Sequence, residues 1–262
     1  MPVILEGGCR VSQLHDGDPF VQGTATIWNQ IGRATGAQAV SLRVMEFAPG
    51  ISPTIRNSDC DQILYRVASP FAELPQDADA PGSGSVDFVI NGFPLPVGPD
   101  CGVYVRPHET FAVHNPGPGS ILLVSSQCPD PDCEPQFGPS KVVPAKPAPV
   151  VPLADRIPAS TADRWYKVLV DDEVGSTQVT QFVGSIPPGR APDHFHNYEE
   201  VLFILKGEGQ MWAGATHTPI AEGSCIYLPK KQVHCVENTG SGELRLLGVF
   251  YPAGSPSVRY DA

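Results

Sequence analysis

Two stretches of this chain repeat two others. Phe47-Ala48-Pro49-Gly50 recurs as Ile186-Pro187-Pro188-Gly189, and Asn115 to Val124, NPGPGSILLV, recurs as Asn238 to Leu247, NTGSGELRLL. A duplication of this kind means that whatever one half builds, the other half builds again. The first copy is longer by roughly the Pro/Gly-rich stretch from Ala72 to Ser85, AELPQDADAPGSGS, an insertion of the kind tolerated on a surface loop.

The repeated unit reads as β structure. Short apolar runs alternate with polar residues, as at Val40, Leu42 and Val44, and further strand candidates follow at 63–67, 86–90, 102–105 and 121–125. In the second half they fall at 165–170, 178–186, 201–205, 209–212, 224–228 and 244–251, with room for one short helix at 153–164. The 26 glycines and 29 prolines supply the turns that many short strands require. Nine prolines between Cys128 and Pro158 block regular pairing there and predict an extended connector. The fold class is therefore all-β, with a first domain over 1–127, a Pro-rich linker over 128–158 and a second domain over 159–262.

Charge narrows the choice of partner. A net charge of -11 with no Lys/Arg cluster repels phosphate backbones and anionic membranes, so neither nucleic acid nor a membrane is expected. No basic start precedes an apolar core at the N-terminus, and no run of about 18 apolar residues occurs. A soluble, cytoplasmic protein is the expectation. The seven cysteines are odd in number and irregularly spaced, which fits reduced thiols; Cys128 and Cys133 alone are near enough in sequence to pair or to share a soft metal.

The chemistry concentrates in the second half. His194 and His196 stand two apart, so on a strand both imidazoles share a face, and Glu200 has the same parity. His234 must arrive from a distant strand. Three imidazoles and one carboxylate suit a single divalent transition metal (Mn, Fe, Ni, Zn or Cu) with coordination positions left for substrate or dioxygen. Because a ligating imidazole is neutral, binding is expected to weaken as pH falls into the histidine range near about 6. His15, His108, His114 and His217 lack such company and read as structural.

The spacing resembles the paired motifs of the cupin superfamily. The pattern Gly-x5-His-x-His-x3-Glu-x6-Gly is met by Gly189, His194, His196, Glu200 and Gly207, with one residue fewer after Gly189. The pattern Gly-x5-Pro-x-Gly-x2-His-x3-Asn is met by Gly223, Pro229, His234 and Asn238, with Lys231 in the place of the inner glycine. The resemblance covers about 178–251. It implies jelly-roll β-barrels, two in one chain, with a metal in the mouth of the second. The first half corresponds to a degenerate copy in which Arg56, Ser58, Gln62 and Phe111 take the ligand positions, a set unable to hold a transition metal.

Strand parity also nominates the surroundings of the metal. Gln181 and Val183, Leu202 and Ile204, Met211, Tyr227 and Val236 are expected along the pocket, while Arg190 and Tyr198 are the polar side chains nearest the His-x-His segment that would hold a substrate carboxylate or donate a proton. Each of the last two reads more readily as a surface-loop residue. An apolar lining fits a small organic substrate ligated by the metal. In the resembled superfamily this donor set serves dioxygenases, decarboxylases, isomerases and other lyases. With no second carboxylate or lysine base evident, a dioxygenase-like oxidoreductase is favoured; a non-catalytic small-molecule-binding protein is the alternative from a different class. Exposed sheet edges make a homo-oligomer, in the simplest case a dimer, the expected assembly.

Overall fold

The computed structural model describes residues 1–68, 85–132, 136–138, 149–161, 163–258 and 260–261. The Pro/Gly-rich stretch 72–84 and, in the connector, residues 133–135 (Cys133 among them) and 139–148 lie outside them. The described residues form strands joined by turns and short 3-10 segments, with no α-helix, and no helix is long and apolar enough to cross a membrane. The short helix expected at 153–164 is reduced to the 3-10 turn Leu153–Asp155, followed by the strand Ala159–Thr161.

The strands build two jelly-roll barrels. A seven-stranded and a six-stranded sheet enclose the first, and an eight-stranded and a six-stranded sheet enclose the second. Inside the first barrel Phe47, Ile55, Phe88, Phe111 and Leu123 form a closed apolar cluster. Inside the second, Phe182, Leu202, Ile204, Met211 and Ile226 do the same. A third cluster, containing Tyr65, Tyr104, Val183, Val201, Phe203 and Tyr227, lies between the barrels and draws on both.

That third cluster explains why so many strands are apolar throughout. Thr180–Ile186 is buried at all seven positions, because even-numbered residues such as Phe182 turn into their own barrel while Val183 turns toward the other. Glu199–Lys206 follows the same rule, with Leu202 and Ile204 inside the barrel and Val201 and Phe203 between the two.

Strand pairing runs across the expected divisions at 127 and 158. Arg10–Gln13 does not belong to the first barrel: it pairs antiparallel with Ser224–Leu228 and extends the large sheet of the second. Reciprocally, Val150–Pro152, within the expected linker, pairs with Cys101–Val105 of the first barrel. Gln136–Phe137 pairs there too, with Ile55–Arg56. Each barrel's leading segment thus crosses over and covers an edge strand of its neighbour. An uncovered edge exposes unpaired N–H and C=O groups, and the exchange removes two such edges.

Buried acids pin the same interface. Glu199 accepts hydrogen bonds from the backbone N–H groups of Gln38 (2.9 Å) and Ala39 (2.7 Å) and from the Tyr227 hydroxyl (2.7 Å). At the equivalent place on the other barrel, Asp61 accepts from the Tyr104 hydroxyl (2.7 Å) and from Gln178 Nε2 (3.1 Å).

The thiols also depart from expectation. Cys60 is disulfide-bonded, whereas Cys128 is free and buried. Cys128 ends the strand Ile121–Cys128 with its free thiol in the inter-barrel cluster.

Candidate metal centre

The four candidate donors come from four neighbouring segments of the second barrel. His194 lies on the two-residue strand His194–Phe195, directly across from His234 on His234–Asn238. His196 follows in the bend after the first strand, not on it, and Glu200 starts the inward-facing row of Glu199–Lys206. The expected shared strand face is therefore realised by a bend.

The three imidazoles converge. Their ligand nitrogens lie within 4.8 Å of one another, and ring centroids are 4.5 Å apart for His194 and His234 and 4.9 Å for His194 and His196. Among the described residues this is the only such group of three or more potential metal donors. Each ring is held from behind at Nδ1: His194 by the Pro192 carbonyl (3.0 Å), His196 by the Val258 carbonyl (3.0 Å) and His234 by the Gln232 carbonyl (2.8 Å). A carbonyl can only accept, so each Nδ1 carries the proton and each Nε2 presents a lone pair. Tyr198 completes the support of His196, stacking on its ring at 4.6 Å with Phe250 behind at 4.3 Å.

Glu200 stands beside His196. Its Oε2 lies 3.7 Å from His196 Nε2, the side chain is 7% exposed, and its carboxyl accepts no hydrogen bond from any described residue. Burial pushes the Glu200 carboxyl up to about 8. Burial and the neighbouring His194 lower His196 to about 4 and His234 to about 3, with the hydrogen bonds at Nδ1 opposing the shift. Neutral imidazoles with inward lone pairs beside a buried carboxyl that has no donor fit a divalent cation.

A cavity of about 130 Å³ adjoins the donors. Its walls are largely apolar, including Phe182, Ile186, Leu202, Val236 and Leu246. Leu202 and Val236 stand where strand parity places them. Gln181, Val183 and Tyr227 do not: they turn away from the cavity. Val183 and Tyr227 pack between the barrels, Tyr227 bonded to Glu199, and Gln181 Oε1 approaches Gly102 of the first barrel. Two-sided burial erases the alternation that would have fixed their phase.

Arg190 leaves the site as well. It lies on the outer face of the smaller sheet, 4.0 Å over the Trp212 ring and bonded to Cys235 Sγ (3.2 Å) and Asp193 (3.1 Å). Tyr198 stands behind a candidate ligand and does not line the cavity. Among the polar cavity residues that sequence reasoning missed is the cation Arg164, at the start of Arg164–Val170, with Tyr166 of the same parity. No local motif marks that strand; only its pairing with Thr180–Ile186 brings it to the donors.

In the first barrel the corresponding place is packed. Ile55 stands opposite Phe111 as His194 stands opposite His234, so strand register puts Ile55, not Arg56, at the first ligand position. Arg56 is exposed and bonded to Gln136, and Gln62 donates to Ser125 Oγ at 3.1 Å. Ile55 and Phe111 offer only carbon to the interior.

Residues 182–250 match the family model described as a cupin domain. Auxin-binding protein 1 of Arabidopsis thaliana is 34% identical over 83 residues, which are 28% of this chain and 42% of that protein. An uncharacterized protein of Aquifex aeolicus is 31% identical over 86 residues, 32% of this chain and 69% of its own length. An oxalate-binding protein of Thermotoga maritima is 35% identical over 66 residues, 24% of this chain and 54% of that one. The chain thus spans about half the length of the curated relatives it matches. In three dimensions it is similar to an oxalate decarboxylase of Bacillus subtilis, with a TM-score of 0.70 over 92% of this chain and 76% of that one at 15% identity.

Proposed function

The chain belongs to the cupin superfamily, and from that premise we propose that its second barrel is a metal-dependent enzyme site holding one divalent transition metal on His194, His196, His234 and Glu200. The observation that carries the proposal is the pre-set geometry: three imidazoles whose ligand atoms lie within 4.8 Å of one another, each held at Nδ1 by a backbone carbonyl, beside a buried carboxyl with no hydrogen-bond donor among the described residues. When bound, such an ion supplies a Lewis acid and, if redox-active, electrons for reaction with dioxygen.

The protein's own contribution is orientation and exclusion of water. The backbone carbonyls fix the tautomers, Tyr198 fixes the plane of His196, and the apolar walls keep a small organic substrate against the donors. Glu200 is the only carboxylate among the described cavity residues, and no lysine is among them. With no second carboxylate and no lysine base among those residues, oxidative chemistry of the dioxygenase type is favoured over redox-neutral decarboxylation, isomerisation or elimination, which remain the alternative.

Metal analysis of the purified protein, followed by oxygen uptake against diketones, catechols, flavonols and small keto or dicarboxylic acids, tests this. Turnover should disappear in His194→Ala and His234→Ala. Anaerobic turnover of the same compounds would replace the oxidative reading by the lyase one, and a preparation that takes up no metal would sink both. Similarity to the oxalate-binding protein of Thermotoga maritima supports a second reading, a binding protein without turnover. Saturable ligand binding to the metal-loaded protein with no product under either atmosphere would select it.

A further inference from the structure

Arg164 has the same parity as Tyr166 and Val168, both packed with the interior of the second barrel, so its side chain turns inward at the barrel mouth. It lines the cavity that contains the four candidate donors and is its only cationic side chain among the described residues. The Arg164 side chain is only 17% exposed. Its one described hydrogen bond runs from Nε to Asp163 (3.2 Å), a carboxylate that is itself 65% exposed. The two terminal nitrogens have no acceptor among the described residues.

A guanidinium on a largely covered side chain, its terminal N–H groups without an acceptor among the described residues, invites one, and a planar cation is matched best by a carboxylate through two parallel bonds. The charge distribution points the same way. The chain at large carries -11 and repels anions, whereas this cavity places a permanent cation opposite a divalent-ion site. Its remaining walls are mainly apolar, which suits the carbon skeleton between two polar ends. Thr161, the cross-strand partner of Arg164, adds a hydroxyl beside it.

We propose that the natural ligand of this cavity is a small organic carboxylate, anchored by Arg164 at the mouth while another donor atom of the molecule reaches the histidine cluster. The proposal deepens the metal-centre reading and rests on it for the second anchor alone. Arg164 is then a specificity-determining residue, one that selects a charge in the substrate and leaves the metal untouched.

Calorimetric titration of the zinc-loaded protein with pyruvate and benzoate, and with their uncharged amides pyruvamide and benzamide, provides the test. Wild-type protein should take at least one carboxylate about ten- to a hundredfold more tightly than its amide. Arg164→Gln should abolish that preference while zinc content, melting temperature and amide affinity stay as in wild type. Arg164→Lys, which keeps the charge and loses the fork, should retain part of it, and Asp163→Ala, which frees Nε, should strengthen carboxylate binding. Equal affinity for acid and amide in wild type, an undiminished preference in Arg164→Gln, or no binding of any of the four compounds overturns the proposal. Failure to take up zinc would count against the metal centre instead, and the carboxylate preference of Arg164 would then be read on the zinc-free protein by the same titrations.

Discussion

At the residue scale the site is tuned in two directions by one cause. Burial disfavours charge, so it holds the His196 and His234 rings neutral down to about 4 and about 3 and keeps a proton on Glu200 up to about 8. The expectation of weakening in the ordinary histidine range near 6 is therefore displaced. Between pH 8 and about 5 the proton that an incoming cation must expel is the one on Glu200, and one proton per ion implies about a tenfold loss of affinity per pH unit. Chelator-competition titrations from pH 8 to 5 should give that slope and steepen only below about 4. A flat profile to pH 6 followed by a break would return the control to the imidazoles. The same carboxyl bears on stability. Its folded value lies above its ordinary 4.5, so across about 4.5 to 8 the folded protein keeps a proton that the unfolded chain has released, and stability falls as pH rises. Glu200→Gln should accordingly stabilise the metal-free protein by on the order of 2–4 kcal/mol near pH 8.5, a gain that vanishes toward pH 4, while metal affinity falls. Thermal melts in chelator at both pH values measure it.

At the scale of single elements, what could be read from sequence follows the range of the signal. The donors sit in two short motifs, 189–207 and 223–238, and local spacing was enough to find the three imidazoles that converge and Glu200 beside His196. Gln181 and Tyr227 were misplaced because strands buried on both faces carry no alternation, so their phase depends on which barrel lies behind them. Arg164, and the crossing of Arg10–Gln13 to the second barrel, depend on pairings between segments far apart in the chain. The C-terminal segment was silent for the same reason. Its strand Tyr260–Asp261 pairs with His194–Phe195, and the Val258 carbonyl sets the tautomer of His196, yet neither lies within the matched motif region. Removing 252–262 should leave the barrel folded, since the interior cluster ends at Phe250, and should weaken metal binding about ten- to a hundredfold, in the range seen when a ligand loses its outer hydrogen bond. Circular dichroism checks the first half of that statement and a metal titration the second. An unchanged affinity would show that Tyr198 alone holds the ring.

At the scale of the whole molecule, the duplicated barrels are not two beads on a linker. They share an apolar cluster, exchange their leading strands, and each buries an acid at the junction, Glu199 from one and Asp61 from the other. The first barrel thereby acts as a support. It covers the faces of Thr180–Ile186 and Glu199–Lys206 that point away from the candidate metal, and so holds rigid the strand that presents Glu200. Cooperativity should follow, with both barrels unfolding in one calorimetric transition that zinc shifts as a unit, because an ion bound only to the native state stabilises everything that unfolds with its site. Glu199→Ala tests the coupling without touching the donors, since it leaves the Gln38 and Ala39 amides without their acceptor and the Tyr227 hydroxyl without its partner. A cost of roughly 2–4 kcal/mol is expected for stranding those buried groups, with Tyr227→Phe nearer about 1 kcal/mol because one bond is lost and fewer groups are orphaned. Both variants should lower the single transition as a whole. A trace that splits in two, with zinc raising only one component, would mean that the barrels fold independently and that the exchanged strands do not couple them.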